Sequence, residues 1–168
     1  MIFVSCATSV NVSTDYDRET NFNVFKTYTF HDSGIEKLRI NDLDKRRILT
    51  AIENELNSKG LTKSSTDADL KINILASSSS EVRVDNNDYY GSYGYYGWRR
   101  AAVYGPPMTS TVSTYTAGKL MIDLIDEKNN MLVWQGVASD LDVTDVSNKA
   151  DKIPVVVNKI LENFPPKP

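Results

Sequence analysis

The sequence predicts an α+β domain: a two-layer sandwich with a mainly antiparallel sheet and two helices packed on one of its faces. Three observations carry that expectation. Two segments repeat apolar residues at helical spacing: Ile48, Leu49, Ile52 and Leu56, then Ile153, Val156, Val157, Ile160, Leu161 and Phe164. Several others alternate apolar and polar residues with a period of two, as Leu120, Ile122 and Leu124 do against Lys119 and Asp123. The order is two strands, a helix, several strands and a helix. Runs of antiparallel strands with few helices place those helices on one side of the sheet.

Taken in order, Val10, Val12, Thr14 and Tyr16 alternate with polar residues as a half-buried strand does, and Asp15, Asp17 and Arg18 mark the turn after it. Phe22 and Phe25 fall on a short irregular stretch. Lys26 to Phe30 is β-prone, because Thr, Tyr and Phe suit a pleated surface. His31 to Ile40 is polar and reads as loop. Asn41 or Asp42 caps the first helix, since a short side-chain oxygen can accept a free backbone N–H, and Gly60 supplies its stop. Leu70, Ile72, Ile74 and Ala76 form a strand with Lys71 and Asn73 on its wet face; Ser77 to Ser80 reads as a continuation of it or a bend, followed by Val82 and Val84. Thr111 to Tyr115 resumes β character. Met131 to Ala138 returns as the partner of the strand through Leu124, after a turn at Glu127–Asn130 where asparagine tolerates positive φ. Trp134 and Leu132 are expected on one face of that strand, in the core. Gly136 on the same face leaves room for a close neighbour. Asp123 and Asp126 are expected on the solvent face and at the turn. Pro154 fits the first turn of the last helix, and Pro165-Pro166 ends it.

A chain of 168 residues most simply makes one domain. The expected division is residues 1–8 as a signal-peptide remnant and tether, and 9–168 as a single domain with a Tyr/Gly-rich loop at about 85–107. With 40% hydrophobic and 24% charged residues the chain can bury a core. Its net charge of −3 argues against nonspecific nucleic-acid binding, which needs many phosphate-neutralising cations. The pairs Arg46-Arg47 and Arg99-Arg100 are too few to change that. No apolar run approaches the length of a membrane-crossing helix.

Little in the sequence points to a reaction, and the expectation is a protein that is not an enzyme, with no catalytic residues, no metal and no cofactor. His31 is the only histidine, with no nucleophile motif near it. One cysteine excludes an internal disulfide and a cysteine-based zinc site. Asp85-Asn86-Asn87-Asp88 and the pair Asp15 and Asp17 offer hard oxygens. Neither has the glycine and distal glutamate of an EF-hand loop, and Asx-rich turns have conformational reasons of their own.

Two features point to location and binding instead. Cys6 follows the apolar stub Met1–Val4 and the small Ser5, as the lipidated cysteine of a bacterial lipoprotein follows its cleaved signal; the alternative is a plain thiol near a terminus. The stub is shorter than a whole signal peptide and reads as the end of one. The segment from Asp88 to Trp98 holds five of the nine tyrosines, three of the eight glycines and one of the two tryptophans. Tyr89, Tyr90, Tyr93, Tyr95, Tyr96 and Trp98 are the candidate ligand contacts. Such rings give large amphipathic area at low entropic cost, suited to carbohydrate, peptide or protein. The alternative is a tolerated low-complexity surface insertion.

The ordered set of short motifs resembles the domain of unknown function 4136 family of bacterial envelope lipoproteins. It comprises Asp15-Tyr16-Asp17, Asn21-Phe22, Phe25-Lys26-Thr27-Tyr28, Lys59-Gly60-Leu61 and Ala68-Asp69-Leu70. After the Tyr/Gly loop come Gly118 to Asp126, Leu132 to Ala138 and Phe164-Pro165-Pro166. The resemblance implies a two-layer α/β domain behind a lipoprotein signal, lipidation at Cys6, and no established activity or catalytic residues to carry over. The resulting expectation is a non-catalytic domain of the bacterial envelope, at the outer membrane and facing the periplasm. It is lipid-anchored and binds another envelope protein or a carbohydrate; the alternative is a module that binds ligand through the Tyr/Gly loop.

Overall fold

The computed structural model describes residues 10–38, 40–86, 110–142 and 148–167. They form β1 (Asn11–Tyr16), a 3₁₀ turn (Phe22–Val24), β2 (Thr27–Phe30), α1 (Asp32–Lys37), α2 (Asp42–Ser58) and β3 (Thr62–Lys63). β4 (Leu70–Asn86), β5 (Ser110–Asp126), β6 (Met131–Asp142) and α3 (Lys149–Leu161) follow. The chain divides into two compact units, one made of Met1–Ser79 with Thr116–Pro168, the other of Ser80–Tyr115. The described residues of the second unit are the far ends of β4 and β5.

The six strands form one mixed, mostly antiparallel sheet in the order β1-β6-β5-β4-β2-β3. β1 and β5 flank β6 antiparallel, whereas β2 runs parallel to both β3 and β4. Parallel neighbours need a crossover, and α2 supplies it between β2 and β3. Glu127 N donates to Asp69 O at 3.0 Å and Asn73 Nδ2 to Asp123 Oδ2 at 3.3 Å, so β4 and β5 run in opposite directions there.

Local chemistry sets the ends of α2. Asn41 Oδ1 accepts from Asp44 N at 2.9 Å, capping a free helix donor, while Asn41 Nδ2 donates to the Asp44 carboxylate at 2.7 Å and holds the cap in place. At the other end Gly60 adopts φ +87°, and Leu61 N and Gly60 N return to the carbonyls of Leu56 and Asn57, each at 3.0 Å. That left-handed closure suits glycine, which has no Cβ to clash. Lys149 Nζ reaches Asp44 Oδ2 at 3.1 Å and Asn158 Nδ2 reaches Glu55 Oε1 at 2.6 Å. Contacts at both ends, in the same sequence order, show α2 and α3 lying side by side and parallel.

The core lies between these helices and one face of the sheet. Ile52 and Leu56 of α2 and Val157, Ile160 and Leu161 of α3 are buried, as are Tyr28, Leu70, Ile72, Ile122, Leu124 and Trp134 from the strands. Gly136 is required at its position. A Cβ there would collide with the Trp134 indole and come within 2.6 Å of Ile160 Cγ2, so the glycine lets α3 and the indole close on β6.

Four expectations are corrected. His31–Ile40 is not all loop: Asp32–Lys37 is a helical turn and a half, with His31 Nδ1 accepting from Gly34 N at 3.2 Å. It sits where β2 stops, His31 N donating to Ile72 O at 2.8 Å, so it continues along the edge of β4. Its short, mostly polar sequence hid it, since only Ile35 and the C-cap residue Leu38 turn to the core beside the cap and the sheet edge. Leu132 is not in the core with Trp134 but 51% exposed, while Val133 is buried. The β5 partners step from Leu124↔Trp134 to Ile125↔Leu132, so β6 carries an extra residue there, and that bulge turns Leu132 to the opposite face. Asp123 is on the face away from the helices, as expected, yet only 9% exposed. Gln135 Nε2 donates to its Oδ1 at 2.8 Å and Asn73 Nδ2 to its Oδ2, so side chains along the sheet cover it. Pro154 lies in the second turn of α3, because the helix begins at Lys149. Pro154 and Ala150 are both exposed, so the carbonyl that the proline leaves unbonded is on the wet side.

Candidate functional site

Cys6 and the ring residues Tyr89, Tyr90, Tyr93, Tyr95, Tyr96 and Trp98 lie outside the described residues. So do Asn87 and Asp88, and the side chains of Asp85 and Asn86. The described surface offers a different site, at the end of the sheet where β1 leaves it.

Two segments far apart in the chain meet there. A groove of about 440 Å³ is lined by Tyr16, Asp17, Arg18 and the segment Thr20–Asn23 on one side and by Pro165, Pro166 and Lys167 on the other. Two of its lining rings, Tyr16 and Phe22, meet edge to face (6.2 Å between centroids), and the series continues beneath them into the core, Phe22 on buried Phe164 (6.0 Å) and Phe164 on buried Trp134 (5.5 Å). This geometry matches the ring quadrupoles and anchors the groove to the core. Asp17 shapes the rim. Its carboxylate accepts from Thr20 Oγ1 at 2.6 Å and Glu19 N at 3.0 Å, and those bonds, Thr20 first, hold its pKa below the usual carboxylate value. Among the described residues, neither Arg18 nor Lys167 has a carboxylate within ion-pair distance.

The groove adjoins the edge of the described sheet at β1. Asp17 N donates to Val133 O at 2.9 Å, which makes these two a hydrogen-bonded pair in the register that sets Tyr16 opposite Trp134. In an antiparallel ladder such pairs alternate with non-bonded ones. Asn11, Ser13 and Asp15 therefore bond inward to β6, and the backbone groups of Val12, Thr14 and Tyr16 point outward. The Tyr16 N–H is met by Asp15 Oδ1 at 2.9 Å. The N–H and C=O groups of Val12 and Thr14 and the C=O of Tyr16 meet no backbone partner among the described residues. The other edge differs: β3 has two residues, and its Lys63 pairs with Glu53 at 2.5 Å and sits over the Phe30 ring.

Two acids away from the groove are committed to structure, Asp69 and Asp44. Asp69 Oδ2 accepts from Lys26 N, Thr27 N and Thr27 Oγ1 at 2.8–2.9 Å, fastening the start of β2 to the start of β4. The bond from Lys26 N is the largest cause of its lowered pKa. Burial pushes Asp44 up, but bonds from Asn41, Lys149 and Arg47 outweigh it and leave its pKa lowered. Burial, with the charge of Glu53, raises Tyr28 to about 12. Of Asp15 and Asp17, weighed as calcium ligands from the sequence, Asp15 in β1 accepts from Tyr16 N and Asp17 from Glu19 N in the turn after it. Among the described residues no group of three or more His, Cys, Asp or Glu could hold a metal ion. No described helix is long and apolar enough to cross a membrane.

Sequence reasoning missed this site. Its one signal was that Tyr16-Asp17, Asn21-Phe22 and Phe164-Pro165-Pro166 carry the family resemblance, although they stand at opposite ends of the chain. The comparisons agree with the architecture. The chain is similar to a PDZ domain protein from Parabacteroides distasonis, with a TM-score of 0.57 and 18% identity. That match covers 94% of this chain and 36% of the other, so this chain spans little more than a third of that protein. It is also similar to the PelC dodecamer from Paraburkholderia phytofirmans, with a TM-score of 0.51 and 12% identity over 90% of this chain and 94% of the other. At these identities the likeness is one of fold. Among curated proteins none matches. The sequence matches the family described as "Domain of unknown function (DUF4136)" over residues 12–166, nearly its whole length, and the chain belongs to that family.

Proposed function

We propose that this chain is a non-catalytic, lipid-anchored domain of the bacterial envelope, held at the outer membrane through acylated Cys6 and binding another envelope component. The observation that carries the anchor is Cys6 itself. It follows a small residue and an apolar stub and stands five residues before β1, so a short tether leads from it into the folded body. Membership of DUF4136 supports a shared domain role and names no reaction. The acids of the body support a scaffold: Asp44, Asp69 and Asp123 each have carboxylate oxygens engaged by neighbouring donors. A single acyl chain gives marginal, reversible membrane binding, so stable anchoring requires the several chains of a mature lipoprotein.

Mass spectrometry of the full-length protein from cell membranes tests this. The expected result is a mature chain starting at Cys6 with acyl groups on it, and a Cys6→Ser variant released from the membrane fraction. Unmodified Cys6 in soluble protein would overturn the reading.

A further inference from the structure

The outer edge of β1 and the groove at its end form one continuous feature. We propose that together they dock an extended peptide segment of a partner protein, which adds as a strand on β1 and lays an apolar side chain in the groove. This rests on the partner-binding part of the reading above and deepens it to a mode and a ligand chemistry. An unpaired strand edge offers alternating N–H and C=O groups in one plane, which an extended chain can meet at every second residue and a helix cannot. Val12 and Thr14 present both groups outward with no backbone partner among the described residues, within the six-residue strand β1. At Tyr16 the pairing ends, because Asp15 already meets the outward N–H. That is where the groove begins. The added chain passes there from backbone pairing to side-chain contact with the rings of Tyr16 and Phe22 and with Pro165.

Charge selects the occupant. Arg18 and Lys167 stand at the groove without an ion-pair partner among the described residues, so an acidic residue next to the apolar anchor completes the site. A second copy adding through its own β1 would bring Val10 and Val12 towards those cations, not an acid. The edge at β3 offers no equivalent, with two residues and an ion-paired lysine.

Panning a phage-displayed library of linear peptides on the full chain, then titrating the selected peptides by fluorescence anisotropy, tests the proposal. Enriched peptides carry an aromatic or aliphatic residue beside Asp or Glu. Thr14→Pro removes an outward N–H without touching the ladder to β6, and weakens their binding roughly tenfold or more, as loss of a hydrogen bond with its acceptor left unmet does. Thr14→Lys, an edge lysine that deters strand addition, does the same and stands in if the proline alters the melting curve. Arg18→Ala with Lys167→Ala abolishes the preference for the acid. Failure to enrich any sequence, or equal binding by wild type and both Thr14 variants, overturns the proposal. So does a concentration-dependent self-association, seen by sedimentation, that both Thr14 variants abolish, since it assigns the edge to a second copy. Acylated Cys6 with no peptide binding would sink this inference and leave the lipid anchor standing.

Discussion

The two faces of the sheet bury their residues in different ways. On the helix side, Tyr28, Leu70, Ile72, Ile122, Leu124 and Trp134 are at most 1% exposed, covered by the apolar sides of α2 and α3. On the other side a polar row crosses β4, β5 and β6, with Asn73 and Gln135 closing over Asp123 and leaving it 9% exposed. The first kind of burial comes from a second layer and is paid in packing; the second comes from neighbours on the same sheet and is held by directional bonds. Removing mass should therefore be costly on one face and nearly neutral on the other, and removing a bond acceptor the reverse.

The largest effect is expected at Trp134. Trp134→Ala empties the junction of sheet, α3 and Phe164 and should cost about 3–5 kcal/mol by chemical denaturation. Next is Gly136→Ala, whose added methyl meets the Trp134 ring and Ile160; overpacking of this kind costs about 1–3 kcal/mol and should appear as a lowered Tm. Asp69→Ala tests directional bonds, leaving the Lys26 and Thr27 donors without their acceptor, at about 1–3 kcal/mol near neutral pH. Its pH dependence has a definite sign. The folded pKa is depressed below the ordinary 3.8, so the stabilisation is present above that value and is lost as pH falls through the lower folded one. The Tm of the wild type should fall as pH drops below 3.8, and Asp69→Ala should show a shallower acid slope. The smallest effect is expected at Leu132→Ser, within about 0.5 kcal/mol, because the bulge leaves that side chain exposed. A cost for Leu132→Ser comparable to that of Trp134→Ala would break the comparison between the faces.

Much of the scaffold was legible in the sequence because its signals are local. Asn41 before Ile48, Ile52 and Leu56, with Gly60 behind them, marked α2 at both ends. The turn of the last hairpin was marked by Asn129-Asn130, and Asn130 adopts φ 53°. Period two placed Leu120, Ile122 and Leu124 in the core. The failures share a cause. A strict alternation put Leu132 with Trp134, and a single extra residue in β6, matched by another register shift opposite Gly118 and Leu120, breaks alternation without any change in residue type. The sequence does not announce α1, because a six-residue, mostly polar helix capped by His31 offers only Ile35 and, at its C-cap, Leu38 as apolar signal. The expectation that Asp123 is wet rests on the usual exposure of a charged residue on the outer face; its two amide partners sit 50 residues before it and 12 after it in the chain.

By itself the sequence determined the elements and their sides: which residues can form α2, α3 and the main strands, and that an apolar stripe on each must be buried against another. It also supplied the Cys6 context and the family pattern. Those follow from propensity, capping and periodicity, which act over a few residues. Tertiary structure decided the order of strands, the parallel pairing of β2, the bulges in β6 and the groove. It also decided which strand ends with an open edge. Each depends on contacts between residues far apart in the chain, as when Tyr16 and Phe22 meet Pro165 and Pro166, and no local window contains the partners.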